Sequence, residues 1–422
     1  MDGIRIVGVA VLLMVGLVAR GQTAVGETNA ALPGLTLAEA YARAVAHNED
    51  LAIDAEEWRA AEARYRGARA GRWPELNASG SGEWRDTGEE SRADNVYRAG
   101  VGARYPIFTG FRTTRVIEGR AAEREALEFD QMRAWQLLYL DVADVFFQVL
   151  SEERQLVALD AQMVALDERA QELERRVGLG RARRAELLAA QSQVANAQVL
   201  MAQSRGAIAG ARELLAFVTG TIVDEVMLVD TSSLPDATLV ERFLNSEVER
   251  PDIQAAAARL EAARANARAV QSERGVTVAA DGHVYAYSDP GSPGDWDLTL
   301  QAELPLFDGG MRRAATAEQR AVVRTSELRL AQVQRLAGHD VRAAYAEMVS
   351  ALGQWSALCD AERLAQANAE LQAQDYALGR ASNLDALTAL AQERLVVRSR
   401  VAQEMQAKAA LIRLHVAAGA TP

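Results

Sequence analysis

Few residues in this chain could do covalent or metal chemistry. Its four histidines, His47, His283, His339 and His415, are scattered, and none stands at metal-ligand spacing or in an HExxH pattern. The one cysteine, Cys359, cannot form an internal disulfide, and its helical surroundings beside Trp355 predict a small buried apolar side chain. No nucleophile, base pair or cofactor loop stands out, so the chain reads as a non-enzyme with no cofactor and no resident metal. What recurs instead is charge at alternate positions: Glu83, Arg85, Arg98, Arg104, Asp281, His283, Asp297 and Glu303. A mixed-sign wall of this kind is a solvated surface that tolerates varied cargo, the chemistry of passage rather than turnover.

Four strands must carry that wall. From Glu75 to Arg85, Leu76, Ala78, Gly80, Gly82 and Trp84 alternate with polar residues; the pattern resumes after a polar loop at 86–95. The predicted strands are about 75–85 and 96–107, then about 276–287 and 296–306, with a turn-rich loop at Ser288 to Gly294. Roughly ten residues is the length that crosses a tilted outer-membrane wall. A soluble two-faced sheet alternates too, but ionic residues on one face and Trp and Tyr near strand ends favour a barrel with a wet lumen.

Each strand pair leads into a helix far longer than a globular core needs. After the corner Arg104 to Arg112, a helical pattern holds to Val177-Gly178-Leu179-Gly180-Arg181, a span of roughly 105 Å at ~1.5 Å per residue. Trp135, Leu138, Val142, Val145, Val149, Glu152, Leu156, Leu159, Met163, Leu166, Ala170, Leu173 and Val177 alternate steps of three and four, a heptad seam. On the return, Leu187, Val194, Met201, Ile208 and Leu215 recur every seven residues, with Ala190, Ala197, Ser204 and Ala211 three residues after the first four. Large and small side chains in alternation predict a close antiparallel hairpin over about 110–217. Upstream, Thr36 and Glu39 form a capping-box signature for a first helix through Asn48, followed by another from Leu51 to Arg72.

The plan is written twice. Tyr105-Pro106-Ile107-Phe108-Thr109-Gly110 matches Leu304-Pro305-Leu306-Phe307-Asp308-Gly309, 199 positions on; Gly178 and Gln191 match Gly379 and Gln392, 201 positions on. The first repeat is set at 35–220 and the second at 238–419, with its hairpin at about 309–417 and a linker at 221–237. Residues 1–21 have the form of a secretory signal, with an uncleaved anchor as the alternative, and 22–34 form a polar tail. The chain is 49% hydrophobic but 5% aromatic, a composition of long helices. A net charge of −12 argues against nucleic acid as a partner. Of its 46 basic residues all but Lys408 are arginine, a bias with no functional weight at this level.

Four strands cannot close a barrel alone, because open edges are not tolerated in lipid, so the chain must oligomerise; three copies would give twelve strands. In order and in duplicate, these features resemble the TolC-like outer membrane efflux protein family, or outer membrane factors. The resemblance rests on Leu35 through Asn48, the two corners, and Tyr376-Ala377-Leu378-Gly379-Arg380 through Asp385 and Gln392. It implies a mixed α-barrel/β-barrel membrane protein: a homotrimeric twelve-strand barrel in the outer-membrane lipid of a Gram-negative bacterium, extended by helices across the periplasm. It further implies docking with a periplasmic adaptor and an inner-membrane RND or ABC pump. Cargo would be small toxic compounds, or proteins by type I secretion. A periplasmic coiled-coil structural protein is the reading from a different class.

The same resemblance assigns roles. Val177, Gly178, Leu179, Gly180 and Arg181, with Leu378, Gly379 and Arg380, would be the periplasmic tips that meet the adaptor, or turns and nothing more. Pro106, Phe108 and Gly110, with Pro305, Phe307 and Gly309, are the strand-to-helix corners. Asp385 would ring the constriction in three copies, or simply favour a helix N-terminus. Tyr376 would help hold the closed mouth; the first repeat departs from the family pattern, with Arg184 matched to Asp385 at the 201-residue spacing, which leaves room for an Asp385–Arg184 link in place of paired acids.

Overall fold

The computed structural model describes residues 34–85, 94–222, 226–234, 243, 250–288 and 295–420, so the signal and all but the end of the polar tail lie outside the described residues. The chain enters through a short strand, β1 (Leu35–Thr36), into α1 (Leu37–His47) and α2 (Glu49–Ala70). Thr36 and Glu39 form the reciprocal capping box. Asn48 ends α1 and caps α2 by accepting from Leu51 N at 2.8 Å, so the expected pause between helices is a single residue.

Next come β2 (Glu75–Arg85) and β3 (Asp94–Phe108), then α3 (Arg112–Gly178) and α4 (Arg184–Thr219). Strand β4 (Leu228–Val229) precedes the second set: α5 (Pro251–Ser272), β5 (Thr277–Ser288), β6 (Trp296–Glu303), α6 (Met311–Ala377) and α7 (Asn383–Ala417). Helices α3 and α6 have 67 residues each, which is about 100 Å at 1.5 Å per residue.

The sheet runs β2-β3-β5-β6, all antiparallel, leaving β2 and β6 as free edges. Two strand limits differ from expectation. β6 stops at Glu303, which pairs with Thr277, the first residue of its partner β5. The alternation along β5 breaks at Ala286, because Gly100 pairs with Tyr285 while Ala99 pairs with Tyr287, a bulge.

The seam packs as small against large. Leu138, Val142, Val145, Val149, Leu159, Leu166 and Leu173 of α3 are buried, and so are Ala190, Ala197, Ser204 and Ala211 of α4. Each fully buried leucine contributes about 1.5–3 kcal/mol. Trp135, the first expected seam residue, is instead 42% exposed, since the seam begins only where α1 and α4 cover α3. Cys359 is half-buried rather than buried, and desolvation raises its thiol pKa. Side by side the helices run α2, α3, α5, α6 near the sheet and α4, α3, α7, α6 near the hairpin turns.

The segment between repeats is built in. β4 pairs parallel with β1, Leu35 against Leu228 and Thr36 against Val229. Asp230, just beyond, is held by the chain's only lysine. Lys408 Nζ of α7 donates to Asp230 at 2.5 Å and to Ser232 O at 3.0 Å, and lies 3.5 Å from Glu404. Arg154 of α3 reaches the same Asp230 at 3.1 Å and Glu404 at 3.4 Å. Both Lys408 and Asp230 are buried, and three acceptors meet an ammonium with three donors.

Burial alone would raise the Asp230 pKa, but hydrogen bonds from Lys408 and Ser232 hold it below the usual carboxylate value. Lys408→Ala should therefore cost about 1–3 kcal/mol, because the buried Asp230 carboxylate loses its ammonium partner and is left to Arg154 and Ser232. Lys408→Met with Asp230→Asn should recover part of that, as read by thermal unfolding. The stabilisation from a depressed acid is present above its unfolded pKa and disappears as pH falls through the folded one. The wild type should thus lose stability on acidification more steeply than the double variant.

Candidate functional site

Two hairpin turns form one end of the molecule. α3 ends in hydrogen bonds from Leu179 N to Arg175 O, Gly180 N to Val177 O and Arg181 N to Arg176 O; Leu378, Gly379 and Arg380 repeat them with Gln374, Tyr376 and Asp375. The left-handed residues are Gly180 (φ +67°) and Gly379 (φ +72°). Gly178, expected as the turn glycine, is the last helical residue. The two turns are therefore 199 positions apart, the same spacing as the corners, and not 201.

This shift corrects the electrical reading of the mouth. The residue equivalent to Asp385 is Glu186, not Arg184: each is the third residue of its helix, so both hairpins return with an acid there. Asp385 and Ser382 form a capping box, with Ser382 Oγ donating to Asp385 at 2.6 Å and Asp385 N to Ser382 Oγ at 3.2 Å. The Ser382 side-chain and backbone hydrogen bonds hold its carboxyl below the ordinary value. Among the described residues Asp385 makes no ion pair with Arg184.

Tyr376 has a different pair of partners. The Arg169 guanidinium of α3 lies 3.7 Å from its ring centroid, and Arg176 donates to its hydroxyl at 3.1 Å. Glu172 links the two arginines at 2.7 Å and 2.5 Å. Arg169 Nε also donates to buried Asn383 Oδ1 at 3.0 Å, so one guanidinium ties α3 to both helices of the second hairpin. A stacked, partly desolvated cation of this kind contributes about 1–2 kcal/mol. Reading the sequence alone missed Arg169 and Arg176. Their signal was a seven-residue spacing with Glu172 between, which puts all three on one face. Around this latch, Leu179, Leu378 and Leu384 are exposed at the turns.

At the other end, the polar face of the sheet carries Arg104 3.6 Å from Asp281, and Asp297 accepts from Tyr285 at 2.7 Å and contacts His283 Nδ1 at 3.2 Å. The Glu83 and Arg85 side chains lie outside the described residues. The opposite face exposes Leu76, Val101, Val284, Trp296, Leu298 and Leu300. No described helix is long and apolar enough to cross a membrane.

Between sheet and helices, the first corner is closed. Pro106 lies opposite Ala279 just before the ladder shifts register and ends with Phe108 opposite Val278; Gly110 turns at φ +61°, and a Cβ there would sit 2.9 Å from Ser272 O. Phe108 packs edge-on against Phe111. The second corner, Pro305, Phe307 and Gly309, is open: Phe307 is 92% exposed and nothing lies within 4 Å of a Cβ on Gly309.

The family model "Outer membrane efflux protein" matches residues 40–221 and 245–420. The cation efflux system protein CusC of Escherichia coli strain K12 is 24% identical over 282 residues, covering 64% of this chain and 62% of that protein. The aligned chain thus spans under two thirds of this relative's length. A crystal structure of CusC aligns with a TM-score of 0.81 at 21% identity, over 92% of this chain and 93% of that one. VceC of Vibrio cholerae aligns with a TM-score of 0.80 at 17% identity, over 91% and 96%. The open state of the MtrE channel of Neisseria gonorrhoeae gives 0.78 at 19%, over 91% and 89%.

The turn geometry makes a direct comparison. Gly180→Val forces a branched residue into the left-handed region and should cost about 1–2 kcal/mol. Gly178→Ala should be neutral or stabilise by up to about 1 kcal/mol. Rates of limited proteolysis at the tip distinguish them, and equal sensitivity of both variants would refute the assignment.

Proposed function

Because the chain belongs to the outer membrane efflux protein family, we propose that it is the outer-membrane duct of a three-part export system. The observation that carries this reading is the join of two unlike parts. A four-stranded sheet with one apolar exposed face and two unpaired edges continues into helices about 100 Å long. Open edges in hydrocarbon are too costly to persist, so copies close into one barrel; three give twelve strands, with the apolar face toward lipid and the Arg104–Asp281 face toward a wet lumen. The helices then extend the lumen through the periplasm.

The hairpin turns are the end that meets a periplasmic adaptor and, through it, an inner-membrane pump. Exposed Leu179, Leu378 and Leu384 give those tips apolar contact surface. The Arg169–Tyr376–Arg176 latch holds the two hairpins of one protomer together and so keeps the mouth narrow; an adaptor that drew Tyr376 off Arg169 would open it. Cargo is small toxic compounds, cations among them, as the name of the CusC relatives suggests. The pump does the work and the duct remains passive.

The reading is tested in two steps. The protein should fractionate with the outer membrane as a heat-modifiable trimer; recovery as a soluble monomer would end the proposal. In planar bilayers, Arg169→Leu and Tyr376→Ala channels should conduct severalfold more than wild type, whereas Arg184→Ala should change little. Unchanged conductance in the first two variants would remove the latch from the gate.

A further inference from the structure

The two repeats pair their strands in the same register, yet only one of the two junctions between repeats exists inside a single chain. Glu75 pairs with Arg104 and Ser79 with Gly100 in the first repeat; Thr277 pairs with Glu303 and Asp281 with Thr299 in the second. Each residue of β2 thus has its counterpart 202 positions on in β5, and each residue of β6 its counterpart 199 positions back in β3. The helices before the strands follow the same rule: α2 and α5 have 22 residues each and begin 202 positions apart.

The junction from repeat one to repeat two is formed by β3 on β5, with Arg104 opposite Asp281, and by the first corner seated on the end of α5. There Gly110 meets Ser272 O, and Arg112 pairs with Glu273 at 3.0 Å. The matching surfaces at the free edges are empty. A Cβ on Gly309 or Gly310 would meet nothing within 4 Å, Phe307 is almost fully exposed, and Trp73 just past α2 is 74% exposed.

We propose that these two surfaces are halves of one contact with a second copy of this chain, built on the register of the β3–β5 junction. β6 then pairs with the partner's β2, Glu303 opposite the partner's Ser79 and Ala302 opposite the partner's Gly80. The corner at Gly309 seats on the end of the partner's α2. Two features of the sequence fit. The register puts polar opposite polar and small apolar opposite glycine, whereas a one-residue slip would turn every side chain to the wrong face. Also, the counterparts of Arg112 and Glu273 are Met311 and Gly71, so both members of the ion pair are replaced together by an apolar side chain and a residue that leaves room for it. The exposed Phe307 and Trp73 are brought to the same contact. This contact rests on the oligomeric barrel proposed above, and it adds which residues meet.

Within one chain, Ser79 and Glu303 lie on strands three spacings apart, about 14 Å across the sheet, and Glu303 is further displaced along β6, far beyond the Cβ separation of about 3.5–4.5 Å that a disulfide spans. A link between them must therefore join two chains. In a Cys359→Ser background, Glu303→Cys with Ser79→Cys should give covalently linked dimers and trimers on oxidation or with a short bis-methanethiosulfonate, in outer membranes holding the full chain. Glu303→Cys with Asn77→Cys should give none. Linking through Asn77 or Ser81, or no linking at Ser79 in an oligomer of unchanged size, overturns the register while leaving the oligomeric duct intact. A monomer by size measurement overturns both. Independently, Met311→Arg should lower the temperature at which the oligomer dissociates, and adding Gly71→Glu should restore it by recreating the ion pair of the first corner. No loss with the single variant, or no rescue with the pair, counts against the corner contact.

Discussion

The unpaired backbone along β2 and β6 is the constraint on which the rest of this molecule depends. A sheet edge in hydrocarbon leaves each N–H and C=O without water or partner, and only closure removes that cost. Four strands cannot curl into a barrel alone, so a single chain is an incomplete object by construction. The helices inherit the same geometry. α6 runs along one flank and α2 and α4 along the other, so whatever closes the sheet also closes the helical layer.

Length is the second demand, and it is met by economy of side-chain volume. Alanine and serine on α4 opposite leucine and valine on α3 let the two helices lie close for most of their course. A helix about 100 Å long would bend if it were packed at only one end. Here it is held near mid-length by the clasp of β1, β4, Asp230 and Lys408. Lysine serves there as a compact ammonium on a flexible stem, within reach of three acceptors, Asp230, the Ser232 carbonyl and Glu404.

Duplication then provides the scaffold on which function breaks symmetry. Both hairpins turn on a left-handed glycine and return with an acid at the third helical position. Only the second carries the tyrosine that Arg169 and Arg176 grip, and only the second corner is left open. The departures from the repeat, rather than the repeat itself, set one hairpin turn and one flank apart from their counterparts.

The sequence by itself determined the elements, because their causes are local or periodic. Strand alternation, the heptad seam, the Thr36 capping box and the Pro106 and Pro305 corners are each set by neighbours a few residues apart. Family membership followed from their order. Tertiary structure alone decided which residues at distant positions meet. The turn glycine is Gly180 and not Gly178, since left-handed backbone depends on where a helix runs out of packing, and a one-glycine choice inside Gly178-Leu179-Gly180 is invisible to pattern. The same shift returned Glu186 rather than Arg184 as the counterpart of Asp385. Arg169 on Tyr376 and Lys408 on Asp230 link residues 207 and 178 positions apart along the chain. Nothing in local chemistry specifies such pairs, because they exist only once the helices are stacked side by side and their charged side chains have lost water.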